Sequence, residues 1–248
     1  MGFFASSGIL NRRGFFGGVA TTAPFSPADI TGLSLWLKAD AGVTLSGSNV
    51  TAWADQSGNG NNATSPAVAP TFVSSSINSK PAISFNNDSS WMQIPQNNIG
   101  NSANITVFVV IDYTSGGVIL NKGDAASFEA TEWEMAPQNG FGYVRNDNGD
   151  FSWNVVALTP SGLSLITMIT TSGITELLNN DASQGNSSDA TPINAISQYI
   201  GIGGGGTSGD TTAALDAKIP EIIIYNLALS NQDKQAVQTY LNDKYAIY

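Results

Sequence analysis

The sequence predicts an all-β protein, a two-sheet antiparallel sandwich closed by one short C-terminal helix, on three observations. Apolar and polar residues alternate with period two: Leu33, Leu35 and Leu37 interleave with Ser34, Trp36 and Lys38, so each set falls on one face of a strand. Turn dipeptides punctuate the chain. Asn59-Gly60 and Asn148-Gly149 are the strongest hairpin signals, with a weaker one at Ser172-Gly173 between "LSLITMIT" and "ITELLNN". Charged residues are only 11% of the 248 while Gly reaches 26, the usage of a turn-rich β chain long enough for one sizeable core.

The segments follow in order. Residues 1–26 differ from the rest: no acid precedes Asp29, Arg12 and Arg13 are adjacent, and "GFF" occurs at Gly2–Phe4 and again at Gly14–Phe16. A twin-arginine export signal would read "NRRGFF" followed by small residues, but glycines interrupt its apolar stretch, so the segment is expected to stay on the chain. A terminus carrying Phe3, Phe4, Phe15 and Phe16 is expected to be tied down with these rings buried. Phe3, Phe4, Ile9, Leu10, Arg12, Arg13, Phe15 and Phe16 are therefore the expected anchor of an arm inserted into a larger assembly; the alternative is an arm folded back on its own domain. Residues 27–248 form the domain. Within it Ile105, Val107, Val109 and Ile111 interleave with Thr106, Phe108 and Val110, a strand apolar on both faces and hence central. Ser230 and Asp233 read as a capping box, followed at helical spacing by Val237, Tyr240, Leu241 and Lys244.

Composition excludes several classes of function. The formal charge is -10 with nine Lys and Arg together, too few cations for a nucleic-acid footprint; neutral sugars or other proteins are the expected partners. Without Cys or His there are no disulfides, no thiolate metal sites and no Ser–His nucleophile pair. No apolar run approaches the roughly 18 residues of a spanning helix, and the chain is expected to be soluble.

The stretch "WADQSGNGNNAT" places Asp55, Ser57, Asn59 and Gly60 at the first, third, fifth and sixth positions of a helix-loop-helix calcium loop. Position twelve is Pro66, and no acid lies between Gln56 and Ser76, so the bidentate carboxylate is missing. A turn is the better reading: Asn59-Gly60 supplies positive φ angles while the side chains of Asp55 and Ser57 cap backbone donors. Asp55, Asp124 and Asp210 are calcium candidates by residue type alone, and no cofactor is expected.

Together, "LSLWLKADAGV", "VTAWADQSGNGNNAT", "KPAISFN" and "IPEIIIYNLALSNQDKQAVQTYLNDKY" resemble the landmarks of laminin-G-like domains of the concanavalin A-like lectin and glucanase superfamily. The resemblance implies a two-sheet jelly roll and a tight connection at "DQSGNGNN". Such domains serve as sugar-binding modules, adhesion domains, glycan hydrolases and structural or receptor-contact pieces of bacteriophage particles, so fold alone does not assign activity.

Glu132 and Glu134 in "FEATEWEMA" share a strand face and could be close enough for retaining glycoside hydrolysis. The glucanases place a further carboxylate between or just after such a pair, where this chain has Trp133, Met135 and Ala136. Two solvent-facing glutamates flanking a core Trp133 are the plainer expectation. "GIGGGGTSGD" lacks the lysine and helix of a phosphate loop; Gly203, Gly204, Gly205, Thr207 and Asp210 are instead a candidate ligand rim. Trp91, Trp133, Trp153, Tyr143 and Tyr199 could stack on sugar rings if exposed, but alternation places most of them in the core. The expectation is a non-enzymatic structural protein of a bacteriophage virion, a capsid decoration or tail component present in several copies. It would be anchored among other virion proteins by its arm, with host-surface glycan as a further partner and neither nucleic acid nor membrane. The alternatives are a secreted or cell-surface carbohydrate-binding or adhesion module, and a glycan hydrolase.

Overall fold

The computed structural model describes residues 24–86, 90–100, 104–123, 131–137, 142–143, 155–156, 158–172, 174–186, 198–204 and 214–248. The anchor residues of the arm and Asn148-Gly149 lie outside them. Antiparallel strands and one helix make up the domain, as the sequence pattern predicts. One half contains β5 (Thr71–Ile77), β6 (Lys80–Asn86), β17 (Leu215–Tyr225), β8 (Ile105–Gly116), β13 (Gly162–Thr171), β14 (Ile174–Asn179) and β15 (Ala182–Asn186) in that spatial order. The other contains β3 (Asn49–Trp53), β4 (Ala63–Thr64), β7 (Met92–Asn97), β16 (Gln198–Ile202), β9 (Leu120–Gly123) and β10 (Thr131–Met135). A single residue pair, Asn49 opposite Thr71, links the two halves into one hydrogen-bonded path. On the margins β1 (Leu33–Lys38) pairs with β17 and β2 (Val43–Ser46) with β3, while β11 (Gly142–Tyr143) and β12 (Val155–Val156) form a separate pair.

The halves face each other across one core. Val107, Val109, Ile222 and Ile224 from the first half cluster with Trp53, Ile94, Leu120, Trp133 and Ile200 from the second. β8 explains why its sequence is apolar throughout: its other face, Phe108 and Val110, packs with Ile223, Tyr225, Val237, Leu241 and Tyr245 beneath the helix. β17 changes partner along its length. Asp216–Ile219 pair with β6, Glu221–Tyr225 pair with β1, and the register against β8 shifts between Lys218 and Glu221. Pro220 sits at that shift, where a residue without an N–H interrupts the ladder least.

Helix α1 (Asn231–Tyr245) begins at Ser230, whose side chain accepts from Asp233 N at 3.1 Å, and ends in left-handed Ala246. Ser230 Oγ also donates to the Asp233 carboxylate at 2.8 Å. The helix is fastened by a carboxylate buried in the sheet. Glu221, 1% exposed, accepts from Trp36 Nε1 (2.6 Å) and Tyr240 (3.0 Å) on one oxygen and from Lys244 Nζ and Tyr245 (each 2.7 Å) on the other. Lys244 also reaches Asp40 at 3.0 Å. Every lone-pair direction of the carboxylate thus meets a donor, the condition under which a buried charge is tolerated.

Besides Gly47-Ser48 between β2 and β3, three hairpins among the described residues have two-residue connections: Asn78-Ser79, Ser172-Gly173 and Asn180-Asp181. Asn78, Ser79, Ser172, Asn180 and Asp181 all have positive φ. The first and third contain no glycine, so the sequence pattern passes over them. Asn and Asp tolerate the left-handed region better than other side chains. Among the described residues no helix is long and apolar enough to cross a membrane.

Candidate functional site

Two polar regions stand out, one at the turn after β3 and one on the outer face of the second half. The turn is wider than Asn59-Gly60 suggests. Ala52 pairs with Thr64 and Trp53 with Ala63, so residues 54–62 connect the strands instead of a two-residue hairpin. Positive φ occurs at Gly58 (87°) and Gly60 (77°), on either side of Asn59. The reason lies in Asn59, whose Nδ2 donates to Leu33 O (2.9 Å) and Ser57 Oγ (2.9 Å) and so folds the side chain inward. Asp55 organises the remainder: Oδ1 accepts from Trp36 N and Ser57 N, both 2.9 Å, and Oδ2 from Ser57 Oγ (2.7 Å) and Asn61 N (3.0 Å). Both oxygens are occupied by donors within the chain, which leaves little coordination capacity for an ion. Asp124 and Asp210 lie outside the described residues. Among those described, no three His, Cys, Asp or Glu side chains gather as a metal site.

Beside this turn opens a cleft of about 520 Å³ between the start of β1, the turn and the end of β17. Ser34, Asn59, Asn61, Asn98, Ile99 and Asn226 are among its lining residues, none of which is charged. The amide orientations are fixed by fixed partners. Asn61 Nδ2 donates to Ser34 O at 2.9 Å, and Asn226 Oδ1 accepts from Gly100 N at 2.7 Å. A carbonyl can only accept and an N–H can only donate, so neither amide can be reversed. From below, fully buried Lys122 donates from Nζ to Ile99 O, which ties the cleft floor to β9.

On the outer face of β10, β9, β16 and β7, Glu134 lies opposite Asn121, Asn121 opposite Gly201, and Gly201 opposite Gln93. This corrects the expected place of Glu134. It is 6% exposed, not solvent-facing, because alternation specifies a strand's face but not what covers it. Trp133 does face the core, at 0% exposure; the Glu132 side chain lies outside the description. Gly203 and Gly204 are buried too, not an open rim. A Cβ at Gly203 would run into the Phe85 ring, one at Gly204 would stand 3.1 Å from Trp91 Cβ, and one at Gly201 would meet Asn121 Oδ1. These glycines permit close packing. Gly205, Thr207 and Asp210 are outside the described residues. Asn121 is fully buried and its Oδ1 has no partner. Trp91 is 7% exposed and Tyr199 half-buried, while the Trp153 and Tyr143 side chains lie outside the description. The strands therefore place Glu134 and Gly201, distant in sequence, on either side of Asn121.

No protein-family model matches the chain, and no curated protein does. Solved structures do. Domain 4 of AbnA, a GH43 extracellular arabinanase from Geobacillus stearothermophilus, solved with arabinotriose, has a TM-score of 0.57 at 14% identity over 82% of this chain and 96% of that domain. The binding domain of Paraclostridial Mosquitocidal Protein 1 has a TM-score of 0.57 at 15% identity, covering 88% of this chain and 53% of that one. Trypanosoma rangeli sialidase in complex with sialic acid has 0.55 at 13% identity, covering 87% and 33%. The chain thus spans nearly all of the arabinanase domain, about half of the mosquitocidal protein's binding domain and a third of the sialidase. At these identities the likeness is one of fold alone, a β-sandwich. The expectation of a non-enzymatic chain is corrected by the same comparison. An arabinanase and a sialidase, both glycan-cleaving enzymes by name, carry this fold, so it does not set the chain apart from enzymes.

Proposed function

We propose that the chain is a glycan-recognition module built on a laminin-G-like β-sandwich. The observation that carries this reading is the uncharged, amide-lined cleft beside the Asp55 turn. Sugar hydroxyls both donate and accept, and side-chain amides held in fixed orientations answer them without the desolvation cost of a charge. The arabinanase domain that shares the fold was solved with arabinotriose, which adds support by analogy only. The reading needs no metal: millimolar calcium is expected to leave the melting temperature unchanged, because an ion bound only to the folded state would raise it. Glycan-array binding by the intact chain, run beside a hydrolysis assay on every glycan retained, is the test. Retention of at least one glycan is expected, and an array without any retained glycan would overturn the proposal.

A second reading concerns where the module works, and it rests on Phe3, Phe4, Phe15 and Phe16 of the N-terminal arm. In this reading the arm anchors several copies among other proteins of a bacteriophage virion and leaves the sandwich to meet host-surface glycan; the alternative is a secreted or cell-surface module. Burying each Phe is worth about 1.5–3 kcal/mol, so replacing Phe15 and Phe16 with Ala should abolish co-sedimentation with assembled particles while sparing glycan binding. Unchanged co-sedimentation would rule the anchor out.

A further inference from the structure

We propose that Asn59 is a spontaneous modification site within the cleft, where deamidation converts one uncharged wall residue into a carboxylate. The modification stands on the geometry of the Asp55 turn; only its effect on ligand binding rests on the carbohydrate reading above. Of the four asparagines that line the cleft, Asn59 alone is followed by glycine, whereas Asn61, Asn98 and Asn226 precede Asn62, Ile99 and Leu227. The difference matters because the backbone nitrogen of the next residue is the nucleophile. Gly60 N attacks Asn59 Cγ and gives its proton to solvent, and the side-chain nitrogen leaves as ammonia, closing a cyclic imide. Water then opens the imide at either carbonyl and yields aspartate or isoaspartate at position 59. One water is consumed and one ammonia released, with no change of oxidation state. Asn59 and Gly60 are both exposed, and nothing lies within 4 Å of a Cβ placed on Gly60, so solvent reaches the reacting atoms.

The turn holds this reaction back. Asn59 Nδ2 donates to Leu33 O and Ser57 Oγ, each at 2.9 Å, and Ser57 Oγ also accepts from Asn59 N at 3.2 Å. Loss of ammonia breaks the first two bonds, so the rate follows local opening of a turn that Asp55 closes through Ser57 N and Asn61 N. The product cannot resume the same seat. A carboxylate only accepts, and at position 59 it would face Leu33 O, another acceptor, with no proton between them. Ser57 Oγ gives its hydrogen to Asp55 Oδ2 at 2.7 Å, so two carboxylates would crowd one hydroxyl and repel each other. The turn then parts from β1, and the cleft loses the shape of one wall together with its neutrality.

The test is peptide mass mapping of the full chain after incubation in mildly alkaline buffer, with hydroxylamine added to trap the imide by cleaving after Asn59. Conversion at Asn59 is expected in the native chain, with Asn61 in the same peptide unchanged. Asp55→Ala should convert at least about tenfold faster, the scale of the turn bonds it releases. Ser57→Ala removes one partner of Asn59 and serves in its place if Asp55→Ala fails to fold. Converted chain, separated by its extra negative charge, is then compared with the parent and with Asn59→Asp. Both altered chains should melt at a lower temperature and bind a neutral oligosaccharide retained on the array at least about tenfold more weakly. Asn59 left intact, or converted no faster than Asn61, overturns the site. Equal rates in the parent and the turn variants overturn the control by Asp55, and parent-like melting and binding of the converted chain overturn the consequence for the cleft. If the unconverted parent binds no glycan, the carbohydrate reading fails by itself, while the mass map and the melting temperature still decide the modification.

Discussion

Both carboxylate oxygens of Asp55 meet donors from β1 and from the turn, so this one residue sets the shape of one wall of the cleft. Asp55→Ala should leave Trp36 N, Ser57 N and Asn61 N without their acceptor and lower unfolding stability by about 3 kcal/mol, read as a reduced urea midpoint with unchanged slope. Gly203 offers a second residue-level test. Its φ is 77° and a Cβ would strike the Phe85 ring, so Gly203→Ala should destabilise by about 2–4 kcal/mol through backbone strain and overpacking together. A flexible, exposed rim would tolerate the same change. The role of Asp55 as a capping residue is legible in "DQSGNGNN", because Asx and Ser caps act locally. The cleft is not legible, because Ser34, Asn61, Asn98 and Asn226 come from four separate stretches and meet only through strand pairing. The burial of Glu134 is not legible for a related reason: period two assigns it a face, whereas what covers that face comes from other segments.

The helix and its carboxylate anchor show the same division between local and long-range information. Ser230 and Val237, Tyr240, Leu241 and Lys244 declare a capped helix from sequence alone; nothing local links Tyr240, Lys244 and Tyr245 to Glu221, which reads as one residue of an apolar strand. Glu221→Gln would set an amide N–H₂ against donors and leave Lys244 short of a partner in a buried site, and should cost about 3–5 kcal/mol. The loss should appear first as fraying of α1 in hydrogen exchange. The tyrosines carry a pH signature. Burial first, and then the charge and hydrogen bond of Glu221, push the hydroxyls of Tyr240 and Tyr245 far above the ordinary phenol value. For Tyr225 burial is followed by the charges of Asp233 and Asp29. A folded-state value raised in this way stabilises the fold fully below the unfolded value near 10 and loses that contribution as pH rises beyond it. Tyrosinate absorbance should therefore appear in two stages, exposed rings first and the buried set only with cooperative unfolding. A single smooth titration with secondary structure intact would contradict this arrangement.

At the scale of the whole molecule the sandwich is closed by contacts that begin at Phe25. Its ring meets Tyr240 edge-on at 6.3 Å, and Tyr225 donates to Pro27 O at 2.8 Å. Removal of residues 1–23 should therefore preserve a cooperative thermal transition, while removal of residues 1–27 should weaken it by breaking both contacts. The sequence reveals the architecture because alternation along β1, β8 and β17 is local. It does not reveal that β17 divides its edge between β6 and β1, since that exchange depends on Pro220 and on distant partners. Binding of a glycan in this uncharged cleft is read from nitrogen-15 resonance shifts of the full chain titrated with a neutral oligosaccharide retained on the array. Saturable shifts are expected in the side-chain amides of Asn59, Asn61 and Asn226 and in the backbone amide of Gly100. Saturable shifts confined to Asn121, Gly201 and Gln93, or none at any residue, would contradict it.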